Sequence, residues 1–334
     1  MKNMKPYILT AAAFLVSITA LFTYFAAQTQ KEKIIQDSML IPSQPAAPVQ
    51  TRSKVYFTSD ISPAGLMAVY KALGQQPNGK VAVKISTGEP PNSNYLRPAL
   101  IKELVQSVKG TIVESNTAYG GKRASTAVHK QTAKDHGFTD IAAVDILDEN
   151  GSISLPVKGG SRLRENFVGA HFKNYDYYVV LSHFRGHGMG GFGGAIKNIS
   201  IGIASAEGKS WIHTAGKSKS GFSGDQNAYL DSMAEAGKSV TDSLNGKILY
   251  INVMNRLSVD CDCNGNPAAP DMHDIGILSS LDPVALDQAC VDLVYAAPDG
   301  KSLIQRIESR NGIRTIDHGA EIGLGSKTYE LIKL

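Results

Sequence analysis

The sequence predicts an α/β fold: a mostly parallel or mixed sheet flanked by helices and preceded by a hydrophobic N-terminal helix. Three observations carry that reading. From residue 54 onward, short β-branched runs alternate with helix-like stretches. Three of those stretches open on a proline at the first helical position. Ahead of them, Tyr7–Ala27 is a run of 21 residues without a charge. Strand–helix alternation suits a parallel sheet, because each crossover must return the chain to the end it started from.

The elements follow in chain order. YILTAAAFLVSITALFTYFAA (7–27) is long enough, at about 1.5 Å per residue, to cross a hydrocarbon core of roughly 30 Å. It lacks the polar stripe of a globular surface helix. Lys2 and Lys5 precede it and favour a cytoplasmic N-terminus. Residues 1–28 are therefore expected to be a signal anchor or a signal peptide, although Tyr24, Phe25 and Ala26 offer no clean small-residue cleavage site. A retained anchor gives a membrane partner at the N-terminus, and either form places the rest of the chain outside the cytoplasm. Residues 29–53, polar and holding three prolines, read as a linker. The folded domain is expected over 54–334.

Within it, strands are expected at Val55–Thr58, Val81–Ile85, Thr111–Glu114, Tyr177–Leu181, Ile248–Val253 and Ile275–Leu278. Ser62-Pro63, Arg97-Pro98 and Asp282-Pro283 open helices, the first two closing at Gly74 and Gly110. Asp282 is expected as an N-cap. The glycine-dense stretch 186–224 reads as a long functional loop or an insertion.

Composition excludes several classes. With 43% hydrophobic and 19% charged residues in 334, the chain is too apolar for disorder and large enough for a buried core. Three cysteines are too few for a disulfide-built scaffold. Lys2, Lys5, Lys31 and Lys33 against Glu32 account for +3 of the formal charge of +4, so the domain itself is nearly neutral. Nucleic-acid binding by bulk electrostatics is not expected.

Two segments carry the chemistry. The first is SHFRGHGMGGFGGAIKN (182–198), which follows an apolar strand and so falls where open α/β sheets bind ligands. Its six glycines can turn backbone N–H groups toward an anion, with Lys197 adding charge. Gly190, Gly191, Gly193, Gly194, Lys197 and Asn198 are the expected cradle for a small anionic ligand. The stretch matches neither a Walker loop nor a dinucleotide fingerprint. The second segment is VDCDCNG (259–265), again after a predicted strand. Cys261 and Cys263 can supply soft ligands to zinc or iron, with His183 or His187 as a third donor. Cys290, His213 and His273 are further donors of the right type. A disulfide or redox pair between Cys261 and Cys263 is the alternative.

Lesser candidates are Lys84 at a strand end, Glu114 to Thr117 after another, and Tyr119 to Arg123. If the strands are parallel, these converge on the glycine loop and the Cys-x-Cys turn. On the helix after Pro283, Cys290 lies in the apolar face, and Asp287 lies at its edge, where a carboxylate needs a partner. Asp287, His187 and Lys197 are the candidate proton-moving residues. His129, His136 and His171 read as ordinary surface or core residues.

ESNTAYGGKR (114–123), GHGMGGFGGAIKN (186–198) and CDCNGNPAAPDMHDIGILSSLDPVALDQAC (261–290) resemble the family called domain of unknown function 362, also labelled uncharacterised Fe–S centre proteins. The resemblance runs over nearly all of 54–334. It implies an α/β domain with a metal or iron–sulfur role and no generally assigned reaction. Many relatives carry a ferredoxin-like C-x2-C-x2-C-x3-C stretch, and this chain has none. An all-cysteine [4Fe–4S] cluster needs four thiolates, one more than this chain holds. A mononuclear zinc or iron site of mixed ligands fits the inventory better. The leading expectation is thus an extracytoplasmic metal-binding protein, a metal-dependent or redox enzyme acting on a small anion. The alternatives are a non-catalytic metal or small-ligand binding module and a thiol–disulfide protein.

Overall fold

The structure, a computed structural model, describes Ala26, Gln28–Gln30, 52–222 and 224–334. It divides into two compact units, Met1–Thr51 and Arg52–Leu334. Of the first unit, only the helical residues Ala26 and Gln28–Gln30 are described. The expected hydrophobic helix and most of the linker lie outside the described residues. Among the described residues no helix is long and apolar enough to cross a membrane.

The second unit is built on strands β1 (Ser53–Thr58), β2 (Val81–Lys84), β3 (Thr111–Glu114), β4 (Val144–Ile146), β5 (Ser152–Pro156), β6 (Glu165–Gly169), β7 (Tyr177–His183), β8 (Arg185–His187), β9 (Gly191–Gly193), β10 (Ile248–Met254), β11 (Gly276–Ser280) and β12 (Tyr329–Lys333). Its helices are α1 (Pro63–Ala72), α2 (Pro98–Ser107), α3 (Thr126–Asp135), α4 (Ala195–Ile199), α5 (Ala206–His213), α6 (Gln226–Leu244), α7 (Pro283–Ala296), α8 (Lys301–Ser309) and α9 (Ile313–Glu321).

An eight-stranded sheet runs in the order β12-β1-β11-β10-β7-β2-β3-β4. Every neighbouring pair is parallel except the two made by β11, which runs against both β1 and β10. β7 and β10 are buried along their whole length, as apolar strands covered on both faces must be. The period of two divides their side chains: Tyr177, Val179 and Leu181 join one core with α1 and α2, while Tyr178 and Val180 join the other with α7.

Two of the three proline-led helices carry a side-chain cap, whereas Arg97 makes none and its helix ends at Ser107, short of Gly110. Ser62 accepts from the Gly65 N–H, and Asp282 from the Val284 and Ala285 N–H groups. Because β2, β3, β7 and β10 are parallel, their carboxyl ends lie along one edge of the sheet.

The stretch 186–224 is not a single long loop. β8 and β9 form a small antiparallel pair, and α4 and α5 follow it. Glycine masks this order from the sequence, since it supplies no side chain for a periodic pattern. Gly186 also sits where a Cβ would strike the Val259 backbone, and its N–H donates to the Ser258 carbonyl at 2.8 Å. That close approach brings the Cys-x-Cys turn alongside β8.

Candidate functional site

At the carboxyl edge of the sheet lies a cavity of about 70 Å³ whose lining includes Lys84, Arg123, Arg185, Lys197 and Lys209, together with Gly193, Gly194, Asn198 and Cys263. Among the described residues, Glu114 is the one acidic side chain in that lining. Lys84 ends β2, Glu114 ends β3 and His183 ends β7, so the parallel register itself gathers them.

Two carboxylates organise the cations. Glu114 lies 3.0 Å from Lys84 Nζ through Oε2, and its Oε1 accepts from Arg123 Nη1 at 3.0 Å and from the Thr87 N–H at 2.7 Å. Burial pushes the Glu114 carboxyl up, but Lys84, His129 and Arg123 together outweigh it and hold it well below its usual range. Asp262 pairs with Arg185 Nε at 3.1 Å and His183 Nδ1 at 3.0 Å. Burial pushes it up too, and Arg185 and His183 prevail, holding it low.

Lys197 and Lys209 are different. Among the described residues neither has a carboxylate within ion-pair distance. Burial and then Arg185 push Lys197 down to about 7. Burial pushes Lys209 down to about 8, against the pull of Asp148. Lys84, Arg123, Arg185 and Lys209 are all 6% exposed or less, so the positive charge is concentrated in a poorly hydrated space.

Lys197 and Asn198 are aimed by an anchor within the core. α4 is too short to be stable alone. Asp287, fully buried in α7, accepts from the Ala195 N–H at 2.7 Å, the Ile196 N–H at 2.9 Å and Asn252 Nδ2 at 2.8 Å. Gly194 is required here, since a Cβ would collide with the Asp287 carboxylate. Asn198 Nδ2 donates to the Leu181 carbonyl and the Ser182 hydroxyl, both at 3.1 Å. Asp287 therefore has the partners that its position demanded. It does not line the cavity, and its oxygens are committed to these donors rather than to a ligand.

At the mouth, Cys261 and Cys263 form a disulfide. Cys263 and Tyr119 line the cationic cavity and both adjoining pockets, so the pair stands where the three meet. The turn is pinned by the Glu89 N–H donating to the Asp262 carbonyl at 2.8 Å and by Arg306 Nη1, 3.0 Å from Asp260. His187 Nε2 lies 4.0 Å from Cys263 Sγ. Its Nδ1 accepts from the Gly190 N–H at 2.8 Å, which leaves the ring proton on Nε2, facing sulfur. Burial, with Lys197 next, holds this imidazole neutral by pushing its pKa well below the usual value.

The sequence-expected metal ligands are brought together in part. His187, Cys261 and Cys263 offer ligand atoms within 4.8 Å of one another, a candidate metal-ligand group. The fit of a metal is incomplete in this state: the two sulfurs are joined, and the facing nitrogen carries a proton. His183 stands outside the group, its ring nitrogens engaged by Asp262 and, at 2.6 Å, by the Asn255 carbonyl. Cys290 is buried in the core beside Asn252 and adds no third thiolate. An all-cysteine iron–sulfur cluster does not fit. His213 borders the mouth, hydrogen-bonded to Tyr119, while exposed His273 pairs with Asp299.

Of the glycine cradle, Gly193 and Gly194 line the cavity, whereas Gly190 and Gly191 pack against Gly312 at the junction of α8 and α9. Lys84, Glu114, Thr117, Tyr119 and Arg123 converge as parallel strands require. Arg185 and Lys209 were not singled out by sequence. Arg185 lay inside the glycine motif, where its charge was the available signal. His129, expected to be ordinary, lies buried 3.8 Å from Glu114 and supports the pocket from behind.

The family described as Domain of unknown function (DUF362) matches residues 81–292, and the chain belongs to it. No curated protein matches the sequence. Among solved structures, the chain is similar to the lactate racemase apoprotein from Thermoanaerobacterium thermosaccharolyticum, with 17% identity and a TM-score of 0.37 over 64% of this chain and 52% of that one. It is also similar to a protein from Thermotoga maritima, with 11% identity and a TM-score of 0.42 over 70% and 59% of the two chains. The chain thus spans a little over half the length of each.

Proposed function

We propose that this member of the DUF362 family binds a small anionic molecule at the carboxyl edge of its sheet and acts on it outside the cytoplasm, with Lys197 as the proton-moving group. One observation carries the reading: five cationic side chains line one cavity and Glu114 is the only acid among them. Asp262 and Glu89 hold Arg185 and Arg123 from behind the lining, so Lys197 and Lys209 are the cations left over, and their charge is costly to bury without an anion to share it. A lysine with a pKa of about 7 can hold or release a proton near neutrality, as a general acid or base should. The extracytoplasmic part rests on the uncharged run Tyr7–Ala27. A metal-dependent form of the reading would use His187, Cys261 and Cys263, and needs the pair reduced and the imidazole in its other tautomer. Zinc or iron held there would supply a Lewis acid at the pocket mouth.

Titration calorimetry with inorganic sulfate, whose charge is constant near neutral pH, tests the anion site. Affinity should be greatest below about pH 7. It should weaken as the pH rises through the Lys197 and Lys209 values of about 7 and about 8, because neutral lysine offers no charge. Lys197→Met should bind about tenfold more weakly at pH 6 and lose the first step of the profile. Sulfate binding with no dependence on pH or on Lys197 would refute the assignment.

A further inference from the structure

The Cys261–Cys263 disulfide is built into the mouth of the cationic cavity, and this placement asks what kind of ligand would meet it. Cys263 lines that cavity together with Arg185 and Lys197, whereas Cys261 lines only the neighbouring pocket. An anion seated on the cations therefore meets Cys263 first. Cys261 is 5% exposed and Cys263 more accessible. The His187 Nε2–H faces Cys263 Sγ at 4.0 Å, with the Cys261 sulfur within 4.8 Å, since its other nitrogen is committed to the Gly190 backbone. A donor in that place stabilises a thiolate; a metal ligand would need the proton elsewhere.

We propose that this disulfide exchanges with a small thiol that also carries an anionic group, the anion being held by Arg185 and Lys197. This rests on the anion-binding reading and names its substrate class. In the first step the substrate thiolate attacks Cys263 Sγ. A substrate–Cys263 bond forms, the Cys261–Cys263 bond breaks, and Cys261 leaves as a thiolate within reach of the His187 N–H. In the second step another substrate thiolate attacks the substrate sulfur of the mixed disulfide and releases Cys263 as a thiolate. Two thiolates lose two electrons and become one disulfide; the cysteine pair gains them and is left as two thiolates, which take protons from solvent. Surrounding cations favour each thiolate.

The test compares two thiols of similar size, mercaptoethanesulfonate and neutral mercaptoethanol, on the oxidised full-length chain. Acid-quenched intact-mass spectra follow the opening of the disulfide. The anionic thiol should open it at least tenfold faster, and inorganic sulfate should suppress that advantage without slowing mercaptoethanol. Lys197→Met should remove the preference, and His187→Asn should slow both thiols. Cys261→Ser, whose Cys263 is left as a free thiol, should attack the symmetric disulfide of mercaptoethanesulfonate, forming a mixed disulfide at Cys263 and releasing one mercaptoethanesulfonate thiolate. Circular dichroism verifies that each variant is folded. Equal rates for the two thiols, or an advantage insensitive to sulfate, would overturn the proposal. So would oxidised protein whose mass shows free thiols at 261 and 263, or reduced protein that takes up one zinc per chain and loses thiol reactivity, which favours the metal form. Calorimetry on the same samples separates the two failures: sulfate binding without thiol preference defeats this inference alone, and no sulfate binding defeats the reading beneath it.

Discussion

Glu114→Gln should destabilise the protein by about 3–5 kcal/mol, the cost of breaking a buried ion pair from one side. The carboxylate is shared by Lys84 and Arg123, and those side chains are 1% and 3% exposed. Arg123 keeps Glu89, 3.2 Å from its Nε. Lys84 keeps only a carbonyl, that of Ile85, so its charge is left almost alone in the core. Urea unfolding measures the loss. The same substitution removes the one acid from the cavity lining, so sulfate should restore more stability to the variant than it adds to the wild type. A folding defect without an anion site would show no such difference. The sign with pH is also fixed. Because the folded-state pKa of Glu114 lies below the ordinary glutamate value of 4.5, its contribution is present above that value and is lost as the pH falls through the folded pKa. Glutamine cannot titrate, so the gap between the two proteins should narrow in acid.

Much of this architecture was legible in the sequence where the signal was local. Thr111–Glu114 was read with its correct ends, and the proline-led helices were placed by their caps, because strand propensity and capping act over a few neighbouring residues. β12 was missed: among the described strands it pairs with β1 alone, is half-exposed, and alternates weakly. The location of the site was legible for a topological reason. If strands run parallel, their carboxyl ends must share an edge, which places Lys84, Glu114, Arg123, the glycine loop and the Cys-x-Cys turn together from the sequence alone. Its finer content was not legible. Lys209 lies on AEGKSWIH, a helix with no clear apolar stripe, and nothing local says that its amine is buried rather than solvated. Two histidines four apart, His183 and His187, looked like equivalent donors. Their roles separated only when the chain turned at Phe184, putting one beside Asp262 and the other beside Cys263.

Asp287→Ala should cost about as much as the loss of Glu114, for a different reason, and should harm anion binding beyond its effect on folding. Three donors converge on this carboxylate, two of them backbone N–H groups of α4. Alanine leaves the two backbone N–H groups buried without this acceptor and Asn252 Nδ2 with only the Cys290 sulfur, at about 1–3 kcal/mol for each donor stranded before relaxation. Partial collapse and fraying of a five-residue helix should bring the total to about 3–5 kcal/mol. What frays is the segment that carries Lys197 and Asn198, so sulfate affinity should fall at least tenfold even where the variant remains folded. Asp287→Asn separates the effects of shape and charge, because it keeps one acceptor and turns a donor toward the other. It should be intermediate in both stability and affinity. Burial raises the pKa of Asp287 to about 6, so in the wild type the folded state takes up a proton there before the unfolded chain does, near 3.8. That uptake adds stability as the pH falls through about 6, and asparagine has no counterpart to it. The stability difference between wild type and Asp287→Asn should therefore widen between pH 7 and pH 4, opposite in direction to the Glu114 comparison. A difference that stays flat over that range would mean that the carboxylate is already charged throughout, held by its three donors against the cost of burial.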